Sequence, residues 1–255
     1  QADPEIWGRH APVLFPIVGK LKDNRYNFNG NIYCLNQHGF ARDRAFETVE
    51  KADDYILFRL LSSGETRQVY PFEFELQIRY QIEAKSVVVS YTVDNTGSGD
   101  MYFSLGAHPG FNCPVLSGEK LEDYYLEFEV NENIDTYLLE KGLLSDKRLR
   151  FLKDEKTIPL SRELFANDAV ILEGLKSSSI SIKNRKAARS VTVEFKGFPY
   201  MGIWSKPEGA PFVCIEPWYG ISDTTDSSGD LERKKGIMKI QKGEKFECSF
   251  RITVY

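Results

Sequence analysis

Histidine is nearly absent from this chain: 255 residues contain only His10, His38 and His108. The four cysteines, Cys34, Cys113, Cys214 and Cys248, are scattered. None stands in a C-x-x-C or a paired Cys/His spacing, so neither a zinc-finger framework nor any other metal site is expected. They read as the reduced thiols of a cytoplasmic protein. No apolar run approaches the ~20 residues that cross a bilayer, and no basic-then-apolar leader opens the chain. Basic charge is not in excess either, at 33 Lys and Arg against 37 Asp and Glu. A net charge of -4 argues against nucleic acid or an anionic membrane as partner. Linkers, repeats and low-complexity tracts are lacking.

What is present is strict alternation. Phe72, Phe74, Leu76, Ile78, Tyr80 and Ile82 take every second position, with polar residues between them. The same period recurs in Val87 to Val93, Tyr124 to Val130, Val191 to Phe195 and Phe246 to Val254. This is the pattern of half-buried strands in antiparallel sheets. Turn-forming clusters such as Asp94 to Asp100 and Gln241 to Glu244 separate them. Helical pattern is short, the best being near Ser161, which could cap a turn before Leu164. A single all-β domain over residues 1–255 follows, a large antiparallel β-sandwich with a few short helices. At this length about 70–75 % of the chain's surface is buried on folding, enough for a core without staples.

Three motifs break the alternation: Gln37-His38-Gly39-Phe40-Ala41-Arg42, Gly106-Ala107-His108-Pro109-Gly110-Phe111 and Ile215-Glu216-Pro217-Trp218-Tyr219-Gly220. Each sets a proton-transferring group among Gly, Pro and aromatics, as at strand ends a ligand can reach. His38 is either such a group or an imidazole satisfying loop carbonyls. Pro109 biases His108 towards an extended conformation at a strand's end. Glu216 follows the apolar run Phe212 to Ile215, where a carboxylate is costly unless it titrates or is paired, Arg42 being an available partner. Phe40, Trp204 and Trp218 could offer flat faces to a sugar or belong to the core. Asp168 reads locally as a turn cap. His10 reads as structural, and the Lys234-Lys235 and Arg185-Lys186 pairs as solvated charge.

Together the motifs resemble the aldose 1-epimerase (galactose mutarotase) family, especially its galactose mutarotase-like branch from sugar-utilising bacteria. Ala11-Pro12-Val13-Leu14-Phe15-Pro16-Ile17-Val18-Gly19-Lys20-Leu21 is similar to the family's early Pro/Gly loop. The resemblance implies a large β-sandwich with the sugar in an open cleft. It implies Glu216 as the base at the anomeric hydroxyl, His108 as the acid at the ring oxygen, and His38 as a second imidazole there. Asp168 is then a sugar-hydroxyl acceptor and Arg42 a hydroxyl or phosphate contact. The family's early-loop arginine has no secure equivalent, Lys20 and Lys22 standing in that region. Members usually begin with one or two more strands, so the native first strands are expected to be missing from a chain that opens at Gln1.

Interconverting α and β anomers requires only a base and an acid, with no metal, nucleotide or other cofactor. The partner expected is thus a small aldohexose. Glu216 and His108 are expected on opposite sides of it, separated by the anomeric centre plus two hydrogen bonds of roughly 3 Å. A histidine of ordinary pKa, roughly 6.5, suits this work at neutral pH. Two alternatives remain: a hexose-6-phosphate mutarotase gripping phosphate with Arg42 and Lys20 or Lys22, and a non-catalytic carbohydrate-binding protein.

Overall fold

Each of the five alternating segments forms a strand in the computed structural model, which describes residues 3–255; how the chain begins lies outside them. Phe74–Glu83 and Ser86–Asn95 make a hairpin, pairing from Glu83 and Ser86 to Phe74 and Asn95. Phe74, Leu76, Ile78, Val89, Tyr91 and Val93 turn inward and are buried. The alternation outruns the core, because Ile82 at the hairpin's tip is 58 % exposed.

Fourteen strands form one long antiparallel sheet. From one edge they run Glu47–Lys51, Tyr55–Leu61, Phe74–Glu83, Ser86–Asn95, Lys245–Val254, Ser190–Glu194 and Ser179–Asn184. The order continues with Tyr124–Glu140, Val170–Glu173, Tyr200–Trp204, Phe212–Tyr219 and Leu105–Gly106. Leu143–Pro159 branches from Tyr124–Glu140, and Gly110–Asn112 from Phe212–Tyr219. Leu76 of one limb and Ile203 and Ile215 of the other share one apolar core, so the sheet curls over itself as a sandwich. Each fully buried Leu, Ile or Phe in it contributes about 1.5–3 kcal/mol.

Two local readings are corrected. The segment at Ser161 forms only a 3-10 turn, Glu163–Phe165, with no side-chain cap. The capped helix is Gly64–Val69, where Ser63 Oγ accepts from the Thr66 amide at 3.2 Å and Thr66 Oγ1 from the Ser63 amide at 2.8 Å. Tyr124 to Val130 begins a 17-residue strand, Tyr124–Glu140, that pairs with Leu143–Pro159 around Lys141 and Gly142, both at positive φ. Its register slips four times, which hides the alternation beyond Val130.

Candidate active site

Glu216 does not end the apolar run; the strand continues to Tyr219 and is buried almost throughout. On one side it pairs with Tyr200–Trp204, Glu216 lying opposite Gly202. On the other it pairs first with Leu105–Gly106 and then with Gly110–Asn112 in the same register. The three-residue gap, Ala107 to Pro109, faces Pro217, which has no N–H to give to a ladder. The contact survives through Ala107 N–H donating to Pro217 O at 3.1 Å and Ile215 N–H to Pro109 O at 3.3 Å. Register carried across the gap makes His108 and Glu216 a cross-strand pair on one face of the sheet.

Glycines leave room on that face. Gly202, Gly106 and Gly110 lie opposite Glu216, Trp218 and Cys214 respectively. A Cβ at Gly202 would stand 2.4 Å from Trp218 Cζ2, and one at Gly106 2.7 Å from Trp218 Cδ1. The indole therefore lies flat over bare backbone. Above it opens a cleft of about 220 Å³ lined by His38, Arg42, His108, Asp168, Trp204, Glu216 and Trp218. A larger apolar hollow of about 540 Å³ lies beyond Trp7 and contains none of the proton-transferring groups.

Within the cleft His108 Nε2 is 3.2 Å from Glu216 Oε2. The two are neighbours, which corrects the expectation of opposite sides. The reason is the register carried across the Ala107 to Pro109 gap, which sets the two residues opposite each other on one face. Burial pushes the Glu216 carboxyl well above the usual carboxylate range, and nearby Asp168 adds to this. Burial likewise lowers His108 to about 3, with Arg42 acting in the same direction. Both shifts favour the uncharged forms, with a proton on Glu216 rather than a second one on His108. Histidine's ordinary pKa, the basis for expecting a charged acid at neutral pH, does not survive burial.

His38 sits at φ 67 in the loop before the Ala41–Asp43 turn. Its amide donates to Gly19 O at 2.8 Å, and the Gly19 amide donates to His38 Nδ1 at 3.1 Å. With Nδ1 accepting, the neutral ring carries its proton on Nε2, beside the Gln37 amide at 3.3 Å. Burial, then His108, then Arg42 hold its pKa well below the ordinary value. His38 and His108 meet edge to face with ring centroids 5.8 Å apart. Gly19 is required where it stands, because its φ is +73 and a Cβ would fall 2.0 Å from Ser222 Oγ.

The loop carrying Gly19 rests on a buried ion pair, which overturns the reading of Lys234 as solvated charge. Lys234 is 6 % exposed and its ammonium donates to Ile221 O, 3.5 Å from Asp223 Oδ1. Asp223 Oδ2 in turn accepts the Lys22 amide at 2.9 Å, and Ser222 Oγ the Lys20 amide at 3.1 Å.

Other expectations fare unequally. Arg42 does not pair with Glu216: its guanidinium donates to Gln37 O at 2.7 Å and lies 3.9 Å from the Asp43 carboxylate. Asp168 is exposed at the cleft mouth, at φ 74, its Oδ1 accepting the Ala169 amide at 2.8 Å. Trp204 stands against His108, centroids 5.8 Å apart. Phe40 is corrected outright, since it packs among Phe15, Tyr70 and Phe74 in the core and does not line the cleft. Trp7, which sequence reading passed over, lies 5.0 Å from the His108 ring and closes one wall. It stands outside any alternating segment, so no local pattern marks it.

Residues 2–239 match the family model described as aldose 1-epimerase. The protein LacX of Lactococcus lactis subsp. lactis is 36 % identical over 266 residues, covering 100 % of this chain and 88 % of its own. A galactose mutarotase related enzyme from Lactobacillus acidophilus superimposes with a TM-score of 0.95 at 40 % identity, covering 100 % of this chain and 86 % of that one. A galactose mutarotase-like protein from Lactobacillus casei gives 0.88 at 30 % identity, with 100 % and 88 % covered. No helix among the described residues is long and apolar enough to cross a membrane. This chain belongs to the aldose 1-epimerase family.

Proposed function

We propose that the protein interconverts the α and β anomers of a free aldohexose. The observation that carries this reading is the buried Glu216–His108 pair, 3.2 Å apart on the cleft floor. Opening the ring requires one proton to leave the anomeric hydroxyl and one to reach the ring oxygen. The proton that burial holds on Glu216 first passes to His108 across the 3.2 Å contact; Glu216 then takes the first and His108 gives the second, and closing from the other face reverses both transfers. A pair that shares a single proton is self-sufficient for this exchange. His38, fixed by Gly19 with its Nε2 proton outward, donates to the ring oxygen without changing charge. Asp168 and Arg42 hold hydroxyls at the mouth, and Trp218 and Trp204 flank the apolar face of the sugar.

A free sugar is preferred to a hexose 6-phosphate because Arg42 is the single Arg or Lys among the residues lining the cleft. Arg42 is tied to the Gln37 carbonyl, Lys20 donates to Lys141 O at 3.1 Å, and Lys22 donates to Ser227 O at 3.3 Å. A pure sugar-binding role has no use for two proton carriers side by side at the floor. The test is NMR exchange between anomers across free and 6-phosphorylated hexoses. Acceleration of at least one free aldohexose is expected. A preference above about tenfold, near 1.4 kcal/mol, for glucose 6-phosphate over glucose and galactose overturns the substrate assignment.

A further inference from the structure

The sheet face below the cleft holds a third donor that proton transfer does not use. Cys214 lies two residues before Glu216 on the same strand and is fully buried. Its thiol, the Glu216 carboxylate and an imidazole nitrogen of His108 lie within 4.8 Å of one another. Gly110 lies directly opposite, and a Cβ there would stand 3.4 Å from the sulfur. Glu216 Oε2 is buried with no hydrogen-bond partner besides its contact with His108 Nε2. The 3.2 Å contact between Glu216 and His108 also has the right length. Tetrahedral zinc with bonds of about 2.0–2.1 Å holds its nitrogen and oxygen ligands roughly 3.3 Å apart.

Thiolate, imidazole and carboxylate together select a borderline-soft ion and disfavour magnesium or calcium, which take oxygen ligands. Three protein ligands leave one coordination position open, here towards the cleft. We propose that His108, Cys214 and Glu216 form an inhibitory site for zinc or a similar divalent cation, whose binding excludes the sugar. The sulfur–metal bond forms as the Cys214 thiol gives its proton to solvent, and nothing is oxidised. The metal occupies the lone pairs on which Glu216 and His108 depend for proton transfer. No linear motif announces such a site, since the cysteine and histidine meet only through strand register.

Cobalt(II) chloride serves as the spectroscopic probe and zinc chloride as the inhibitor of the whole protein. Wild type is expected to develop a thiolate-to-cobalt charge-transfer band at one equivalent. Zinc is expected to raise KM for the sugar, with reversal by a chelator. Cys214→Ser should abolish the band, retain anomer exchange, and weaken zinc inhibition by at least about tenfold. Cys214→Ala provides the same test should the serine variant fail to fold. No band in wild type overturns the site, as does a band that persists without Cys214, which assigns the thiol to exposed Cys34. A band without inhibition overturns the inhibitory role. The spectrum needs no turnover, so a protein that binds cobalt through Cys214 but exchanges no anomers sinks the functional reading and leaves the site standing.

Discussion

The two limbs of the long sheet solve opposite problems. In the Phe74–Glu83 and Ser86–Asn95 hairpin one face is core and the other wet, so apolar and polar residues alternate and every side chain has an evident place. In the Phe212–Tyr219 strand both faces are covered, alternation vanishes, and a carboxyl, a thiol and an indole share one inward face. The first limb lowers free energy by burial alone. The second holds an expensive carboxyl dry, and it does so on glycines, a proline and a neighbouring strand with a gap. Stability and chemistry are thus concentrated in different limbs.

The sharpest way to break that division is to exchange the costs. Leu76→Ala in the regular limb should destabilise by about 2–5 kcal/mol, read by denaturant unfolding, while kcat of the folded fraction stays unchanged. Glu216→Gln should do the reverse. It removes the base but keeps the shape, so kcat falls by at least about 10²-fold with an unfolding midpoint no lower than wild type. A glutamine variant that turns over normally, or an alanine at Leu76 that selectively slows turnover, contradicts the comparison.

The buried Lys234–Asp223 pair tests how far the catalytic limb depends on charge behind it. Lys234→Met leaves Asp223 buried without its cation and should cost about 3–5 kcal/mol. The solvent-screened Arg59–Glu47 pair of the other limb, 2.9 Å apart, should change stability far less when Arg59 becomes Ala. Thermal unfolding of both variants decides the matter. Equal losses would show that Lys234 is not stabilising Asp223 as described.

Two glycines sharpen the contrast at smaller scale. Gly202→Ala drives a methyl into Trp218 and should destabilise by about 1–3 kcal/mol as overpacking. Gly64→Ala meets nothing within 4 Å at the start of the Gly64–Val69 helix, and should stabilise by about 0.4–1 kcal/mol. Gly202→Ala should also raise KM, because the displaced indole flanks the cleft. Unfolding curves for the pair that move in the same direction would count against the packing account.

Legibility followed the same division. Strands of the regular limb were readable because burial on one face writes a period of two into the sequence. His38, His108 and Glu216 stood out as candidates because Gly, Pro and aromatics interrupt that period around them, and the structure brings the three to one cleft. Their arrangement was not, since the 3.2 Å contact depends on register across the Ala107 to Pro109 gap, which no local pattern encodes. Phe40 shows the limit from the other side: an aromatic beside a catalytic motif looks the same in sequence whether it faces the sugar or the core. Lys234 failed likewise, because a lysine buried against Asp223 and a solvated one have the same neighbours along the chain.

The smallest expected effect is an absence of change, and it separates buried from solvated imidazole. Were His108 in open solvent, kcat/KM would change through the ordinary imidazole range, roughly pH 6–7. Burial instead lowers His108 to about 3 and holds His38 well below its ordinary value, while Glu216 is raised. Neither cleft imidazole therefore takes up a proton in that range. As pH falls, a second proton arrives only when His108 is protonated, so the acid limb of kcat/KM should lie near that low value or be overtaken by acid unfolding. As pH rises, the shared proton is lost only above the raised Glu216 pKa, which places the alkaline limb above the ordinary carboxylate range. The free enzyme's profile, measured in kcat/KM with a free aldohexose, should show no imidazole limb between about pH 6 and 7. An imidazole limb inside that interval shows that a cleft imidazole titrates in water and that this limb of the sheet is not dry.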